Sequence, residues 1–245
     1  MKLVADLHVH SVASGHAYST IAENAEAAAR KGLELIAITD HGPAMPGGPH
    51  LYHFGNLRVV PSEYTGVRIL KGAEANIVDS EGALDIPERY LKRLDIVLAG
   101  FHSPCYKSGG VKQNTVVLTK LMSNPLIDII VHPGNPEFEI NAVELVRAAK
   151  DLGVALELNN SSLGTVRKGS YDHCLEIALQ AAKMDALVVL GSDAHWAEDV
   201  GGFKNAISLA KEAGIRPEQV VNTSVKRIDE YLEQRKNCAE RVLWF

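Results

Sequence analysis

The sequence has only three cysteines, Cys105, Cys174 and Cys238, which lie far apart with no CxxC spacing. Such cysteines are typical of free thiols in a reducing compartment and argue against a disulfide scaffold or a thiolate metal site. No run of about 18 apolar residues occurs, and the N-terminus reaches a charge too soon for a signal peptide. We therefore expect a cytoplasmic protein with no membrane partner.

Basic charge is also scarce, because the formal net charge is −5 at pH 7. Nucleic acids favour partners with a basic face, so the composition argues against a nucleic-acid partner. The apolar fraction of 46% is ordinary for a globular core, and no linker rich in Gly, Pro or Ser divides the chain. We predict one domain over residues 1–245, and the composition is compatible with an oligomer.

Short runs rich in Val, Ile and Leu alternate with helical patterns about seven times along the chain. The predicted strands cover residues 3–8, 35–39, 67–74, 96–101, 127–131, 155–158 and 187–191. The predicted helices cover residues 20–31, 114–123, 141–151, 171–184, 200–213 and 224–235. Repeated strand–helix units predict an α/β fold with a parallel sheet, and seven units favour a closed barrel over an open sheet. A long irregular loop is expected over residues 42–61.

Histidines and two carboxylates lie at or just after the C-terminal ends of the predicted strands. The set comprises His8, His10, His16, His41, Glu74, His102, His132, Asp193 and His195. In a parallel barrel these strand ends meet on one face, and the alternation of side chains places both members of an HxH pair on one side. A single buried histidine is more commonly structural, but nine such groups in one cleft predict a metal site.

Three histidines stand apart from this set. His50 and His53 lie in the predicted loop and are interpreted as lid or substrate-facing residues, or as solvated ones. His173 begins a predicted helix away from any strand end, which favours a structural role.

Nine candidate ligands are too many for one ion, since a zinc site takes about four. They suffice for two or three ions of zinc, manganese or iron. Paired metals can clamp the attacking and leaving oxygens of a displacement at phosphorus. The chain has no GxxxxGK[ST] loop, GxSxG elbow or GxGxxG run, which further favours metal-dependent hydrolysis.

Several motifs occur in order along essentially the whole chain. They are Asp6-Leu7-His8-Val9-His10-Ser11, Thr39-Asp40-His41-Gly42, Glu74, His102, His132-Pro133 and Asp193-Ala194-His195. This set resembles the PHP (polymerase and histidinol phosphatase) family. The run Ala17-Tyr18-Ser19-Thr20 looks like its small stand-alone bacterial branch of probable phosphatases. The resemblance implies a distorted (βα)7 TIM-like barrel with three metal ions, usually zinc and sometimes manganese or iron, at the C-terminal ends of the strands.

The resemblance also implies which residues hold each ion. The implied sets are His8, His10, Glu74 and Asp193 for the first ion, Glu74, His102 and His132 for the second, and His16, His41 and His195 for the third. A hydroxide between metals would attack a small phosphorylated substrate, a phosphomonoester. Asp193 is also a candidate catalytic residue that could manage the proton.

Four further residues are candidate substrate contacts. Arg167 and Lys168 follow the sixth predicted strand, and Lys107 follows the fourth. Each could reach a phosphate oxygen, or be only a surface charge. Asn159, at the end of the sixth strand, could contact substrate or support a ligand.

Three alternative functions remain open at this point. A metal-dependent nuclease or phosphodiesterase would need a basic track with stacking aromatics, which the acidic charge disfavours. A carbon–nitrogen hydrolase of the HxH type often carries a carboxylated lysine where this chain has Glu74. A non-catalytic metal-storage or metal-sensing protein is disfavoured because the ligands come from many separate strands around one pocket.

Overall fold

The computed structural model describes residues 1–164 and 167–242. Its strands are β1 (Ala5–Val9), β2 (Leu35–Ile38), β3 (Glu63–Tyr64), β4 (Val67–Asn76), β5 (Ile96–Gly100), β6 (Ile129–Ile130), β7 (Ala155–Asn159) and β8 (Val188–Gly191). Its α-helices are α1 (Ile21–Arg30), α2 (Tyr52–Asn56), α3 (Glu88–Leu91), α4 (Gly110–Met122), α5 (Ala142–Leu152), α6 (Ser170–Met184), α7 (Lys204–Glu212) and α8 (Val225–Val242). None of the helices in these ranges is both long and apolar enough to cross a membrane.

Seven of the strands form one parallel sheet in the order β1-β2-β4-β5-β6-β7-β8, and the two-residue β3 pairs antiparallel with β4. The predicted (βα)7 barrel is confirmed, and each predicted strand overlaps an observed one. Every strand of the parallel sheet is buried almost throughout, which explains the continuous apolar runs.

The barrel closes between β1 and β8 in two different ways. Near the C-terminal ends of the strands, the His8 carbonyl accepts a hydrogen bond from Asp193 N at 3.0 Å. Farther down, no ladder joins the two strands, and the Asn222 side chain bridges the gap. Its Nδ2 donates to the carbonyls of Ala5 at 2.8 Å and Leu190 at 2.9 Å. The barrel is therefore distorted at this seam, as the family resemblance implies.

The barrel interior has an apolar lower part and a polar upper part. At the N-terminal ends of the strands, inward side chains such as Leu35, Ile96 and Val189 form one buried cluster with Ile228 and other side chains of α8. Higher along the same strands, the inward positions of β4 and β7 carry polar residues, all buried. Because side chains of α8 fill the lower opening, the cleft that leads to the polar interior lies at the upper face.

Three short elements were not predicted. The loop expected at 42–61 contains α2, whose five residues have no capping side chain, and β3 and α3 are two and four residues long. Elements this short show less than two periods of an amphipathic pattern, so periodicity cannot reveal them. They leave the predicted order of the parallel strands unchanged.

Candidate metal centre

Four donor atoms from three strand ends meet at the upper end of the barrel. His8 Nε2 lies 3.1 Å from His10 Nε2, 3.2 Å from Glu74 Oε2 and 3.6 Å from Asp193 Oδ1. His10 Nε2 lies 3.3 Å from each of the same two carboxylate oxygens. A tetrahedral zinc ion with bonds of about 2.0–2.1 Å separates its donors by about 3.3–3.4 Å. These four atoms therefore already have the spacing of a tetrahedral coordination shell.

The second oxygen of Glu74 faces another pair of imidazoles. Glu74 Oε1 lies 2.9 Å from His102 Nε2 and 2.8 Å from His132 Nε2, and the two nitrogens are 3.2 Å apart. These three atoms are therefore close enough together to hold one ion. Glu74 thus lies between two donor sets, one oxygen for each.

The remaining three histidines of the predicted set form a group at the mouth of the barrel. The His16 ring centroid lies 5.1 Å from that of His41 and 4.9 Å from that of His195. Ligand atoms of His41 and His195 lie within 4.8 Å of a ligand atom of His10. A ligand atom of His41 also lies within 4.8 Å of ligand atoms of Glu74 and His102. His16 is exposed, so it is the outermost member of the cluster.

A cation fits this cluster for a reason that the structure itself shows. Glu74 is fully buried, yet its Oε2 has no hydrogen-bond donor in the structure. A buried carboxylate oxygen without a donor is costly. The atoms that surround it are imidazole nitrogens of His8, His10 and His41, at 3.2, 3.3 and 3.0 Å. Divalent ions such as zinc coordinate this set of donors.

Three histidines of the cluster are held neutral, which is the state that binds metal. Burial lowers the pKa of His41 to about 3 and the pKa values of His132 and His195 to about 4. A neutral imidazole keeps a lone pair for a metal ion, so these side chains are ready to act as ligands near neutral pH.

The pKa values of the two carboxylates and of the HxH pair are shifted in opposite directions. Burial alone would raise the pKa values of Glu74 and Asp193, but the nearby histidines, together with Arg167 at Asp193, hold both well below their usual range. Although burial opposes it, Asp193 and Glu74 raise the pKa of His10 to about 9. Protons on the HxH pair therefore balance the carboxylates, and a metal ion would displace those protons.

Hydrogen bonds at the far side of two rings set their tautomers. Ser14 Oγ donates to Asp40 Oδ1 at 2.7 Å, so it accepts from His10 Nδ1, 3.0 Å away. His195 Nδ1 lies 3.0 Å from the carbonyl of Asp193, an acceptor only. In the neutral form of both rings the proton is on Nδ1, so Nε2 is the nitrogen with a lone pair for a metal ion.

Sequence reasoning missed three residues behind the cluster. Asp40 and Ser14 support His10, and Glu157 accepts a hydrogen bond from His8 Nδ1 at 2.7 Å. A glutamate inside the apolar strand 155–159 is itself unusual, since carboxylates are almost never fully buried without a partner. That position could have identified Glu157 from the sequence.

Two residues of the cluster have unusual backbone conformations. His132 has φ 34° and Asp193 has φ 57°, although neither is glycine. Non-glycine residues adopt positive φ at a cost of order 1 kcal/mol, and such residues occur frequently at functional sites. Each lies two residues after the end of a strand, where the chain turns at the upper end of the barrel.

A cleft of about 710 Å³ opens directly above the cluster. Arg167 and Lys168 line it, and Arg167 Nη1 donates to Asp193 Oδ2 at 3.0 Å. Asn159 is buried and donates to the same oxygen at 3.3 Å, so it supports Asp193 rather than facing the cleft. Lys107 is exposed and lies outside the lining.

The histidines outside the predicted set lie away from the donor atoms. His53 is half-buried with its Nε2 3.2 Å from Asp40 Oδ2, so it supports the loop behind His10 instead of facing the cleft. His50 is exposed, and its Nδ1 accepts from Tyr52 N at 3.1 Å. His173 lies within α6.

Fold and site together define a class: a parallel α/β barrel with clustered imidazole and carboxylate donors at the C-terminal ends of its strands. The chain belongs to the PHP domain family, whose model matches residues 6–234. The family predicted from the motifs is therefore confirmed.

The chain resembles curated proteins over nearly its whole length. It is 52% identical over 237 residues to a probable phosphatase of Caldanaerobacter subterraneus subsp. tengcongensis, covering 96% of this chain and 93% of the relative. It is 50% identical over 241 residues to a probable phosphatase of Acetivibrio thermocellus, covering 98% and 100%.

One similar solved structure is histidinol phosphate phosphatase from Lactococcus lactis, complexed with zinc, L-histidinol and phosphate. It has a TM-score of 0.62 and 19% sequence identity, and the match covers 86% of this chain and 94% of that one. At this identity the likeness establishes the fold.

Proposed function

We propose that this chain is a metal-dependent phosphatase that hydrolyses small phosphomonoesters. The observation that carries the proposal is the position of Glu74, whose two oxygens face two separate donor sets under an open cleft. A carboxylate that bridges two ions is typical of centres for in-line displacement at phosphorus. Relatives named probable phosphatases support the same activity.

The centre is proposed to hold three divalent ions. The sets are His8, His10, Glu74 and Asp193, then Glu74, His102 and His132, then His16, His41 and His195. The near-tetrahedral spacing of the first set favours zinc, which is also present in the Lactococcus lactis structure. Manganese or iron would accept the same donors.

Bound metal ions would polarise the phosphoryl oxygens and supply a nucleophile near neutral pH. The protein's own contribution is to orient the ester and balance its charge. All hydrogen bonds of Arg167 to described residues use Nη1, so the rest of the guanidinium can contact a phosphate oxygen. Lys168, exposed at the rim, adds positive charge there.

Asp193 is proposed to act first as a ligand. Its Oδ1 faces the HxH pair, while its Oδ2 accepts from Arg167 at 3.0 Å. Because the surrounding positive charges hold its pKa well below the usual range, the carboxylate stays ionised. A role in moving the proton would therefore use Asp193 as an acceptor rather than as a donor.

The proposal is tested with purified protein of measured metal content against phosphomonoesters, phosphodiesters and amides. Phosphomonoesters are expected to react fastest, and His10→Ala is expected to lower the rate by at least about a hundredfold. His173→Ala, in α6, is the matched control and should retain the wild-type rate. Full phosphomonoesterase activity in thoroughly metal-free protein would overturn the proposal, and a preference for phosphodiesters would replace it with a nuclease.

A further inference from the structure

Three hydrogen-bond donors converge on the buried carboxylate of Glu157. His8 Nδ1 lies 2.7 Å from Oε1, while Oε2 accepts from His132 N at 2.8 Å and from Asn159 Nδ2 at 3.0 Å. The Glu157 side chain is 1% exposed, so water cannot replace any of these bonds. One carboxylate thereby connects residues from three different strand ends.

The connection extends to a fourth element through Asn159. Its Nδ2 also reaches Asp193 Oδ2 at 3.3 Å, and its Oδ1 accepts from Ser162 N at 2.8 Å. The bond from a backbone N–H fixes which way the amide points, because a reversed amide would set two donors against each other. Asn159 therefore presents its NH₂ group to both carboxylates.

The backbone is also shaped to admit the Glu157 side chain. A Cβ atom on Gly191, in the neighbouring strand β8, would lie 2.0 Å from Glu157 Oε1 and 3.1 Å from His8 Cβ. Glycine at this position thus leaves the space in which Glu157 and His8 meet.

We propose that Glu157 is a positioning residue of the metal centre. Its carboxylate keeps the proton of His8 on Nδ1, so that Nε2 has a lone pair for the ion. The same carboxylate fixes the backbone of His132 and, through Asn159, the orientation of Asp193. It therefore ties donors of both ion sites that share Glu74 into one arrangement. This inference depends on the metal centre proposed above but not on the choice of substrate.

An amide cannot replace this carboxylate, although Glu157→Gln preserves its size. A carboxylate only accepts, whereas an amide must place its NH₂ against His8 or against the other two donors. If the NH₂ faces His8, the ring can accept only with its proton on Nε2, which blocks the metal-binding nitrogen. Outer hydrogen-bond partners of metal ligands typically change affinity by about 10- to 100-fold.

The test compares zinc affinity and metal-free stability in three variants. Glu157→Gln is expected to weaken zinc binding by about 10- to 100-fold and to lower the metal-free melting temperature, because a buried donor loses its acceptor. Glu176→Gln, an exposed glutamate of α6, controls for the chemical change, and Asp128→Asn controls for loss of a distant buried carboxylate. Both controls should bind zinc within about twofold of wild type. A Glu157→Gln variant that does the same, or that weakens no more than Asp128→Asn, would overturn the inference.

A second measurement needs no variant and remains decisive if Glu157→Gln fails to fold. Long-range ¹H–¹⁵N correlation spectra of zinc-loaded wild-type protein report the tautomer of His8. The expected spectrum shows a proton on Nδ1 and metal at Nε2, whereas metal at Nδ1 would contradict the role of Glu157. Wild-type protein that binds no zinc at all would instead refute the proposed metal centre itself.

Discussion

The two ends of the barrel use the same strands for opposite purposes. At the lower end, Ile228, Tyr231 and Leu232 of α8 fill the interior with apolar side chains. At the upper end, the inward positions carry imidazoles and carboxylates that are equally buried. Hydrophobic burial stabilises the first arrangement outright, while the second concentrates polar groups at a cost.

The ends also differ in how their polar groups are satisfied. At the lower end, Arg235 donates to the carbonyls of Leu152 at 2.7 Å and Ile127 at 2.6 Å, and Tyr231 bonds both the Asp128 carbonyl and Ala155 N. At the upper end, Glu74 Oε2 is buried and accepts no hydrogen bond from the residues that the structure describes. The lower end also has a buried atom without a partner among the described residues, Arg235 Nε. The upper end differs because its unpartnered atom is a carboxylate oxygen surrounded by imidazole nitrogens, where we propose that a metal ion binds. Substitutions should therefore separate stability from metal binding.

The largest effect is expected at the upper end, for Glu74→Gln. The change preserves size but removes the charge shared by two donor sets, so zinc content should fall and phosphatase activity should drop at least about a thousandfold. Metal-free protein should unfold below the wild-type temperature, because the protonated HxH pair loses a carboxylate partner. Metal analysis, initial rates and melting curves in chelator measure the three quantities. A Glu74→Gln variant with wild-type zinc content would contradict the proposal that the upper end, unlike the lower end, binds metal.

The opposite pattern is expected at the lower end, for Ile228→Ala. Ile228 is fully buried in the barrel interior, and its truncation should lower the free energy of unfolding by about 2–5 kcal/mol. Zinc affinity should stay within about twofold, since no donor atom is near. Chemical denaturation and zinc titration test this, with Lys226→Ala on the same helix as the control. Impaired zinc binding with unchanged stability would contradict the assignment of the lower end.

Asp128, at the lower end, should also make the stability of the fold depend on pH. Burial raises the pKa of Asp128 from an ordinary 3.8 to about 7, so the folded state keeps a proton that the unfolded state loses. The folded state thus binds more protons between about pH 4 and 7, and the contribution of Asp128 to stability falls as pH rises through that window.

Asp128→Asn removes this titration. The free energy of unfolding of the variant minus that of wild type should be larger at pH 8 than at pH 5, by at most on the order of 3 kcal/mol. Denaturation of both metal-free proteins at the two pH values gives the difference directly. An equal stability difference between variant and wild type at both pH values would show that Asp128 does not titrate in this way.

The smallest effect is expected for Arg167→Ala, at the cleft. Loss of a charge-assisted contact with phosphate should lower kcat/KM roughly tenfold or somewhat more. Zinc content should stay unchanged, because Arg167 contacts Asp193 Oδ2 and not the oxygen that faces the HxH pair. Lys107→Ala, outside the cleft lining, serves as the control. Equal rates in both variants would remove Arg167 from the proposed substrate site.

Much of the fold was predictable because a two-sided buried strand needs a continuous apolar run. The strand predicted at 155–158 is Ala155–Asn159 in the structure, and the helix predicted at 141–151 is Ala142–Leu152. Asn141 caps that helix by accepting from Glu144 N, and Gly153 ends it with φ 67°. Local chemistry and tertiary packing agree there, so sequence was sufficient.

Other features depend on contacts between distant segments, which periodicity does not encode. One extra residue in β1 opposite β2, between Asp6 and Val9, shifts the register at the first histidine of the HxH pair. The pairing of Arg167 with Asp193 and of Glu157 with His8 likewise joins residues 26 and 149 positions apart. Sequence indicated which groups could bind metal, and the fold was required to show what positions them.

Anomalous diffraction from zinc-loaded crystals, recorded on both sides of the zinc absorption edge, tests the central claim most directly. We expect three zinc peaks at the upper end of the barrel, one in each donor set, with Glu74 between the first two. The lower end should show none. A zinc-loaded crystal with no peak among these histidines and carboxylates would contradict the account.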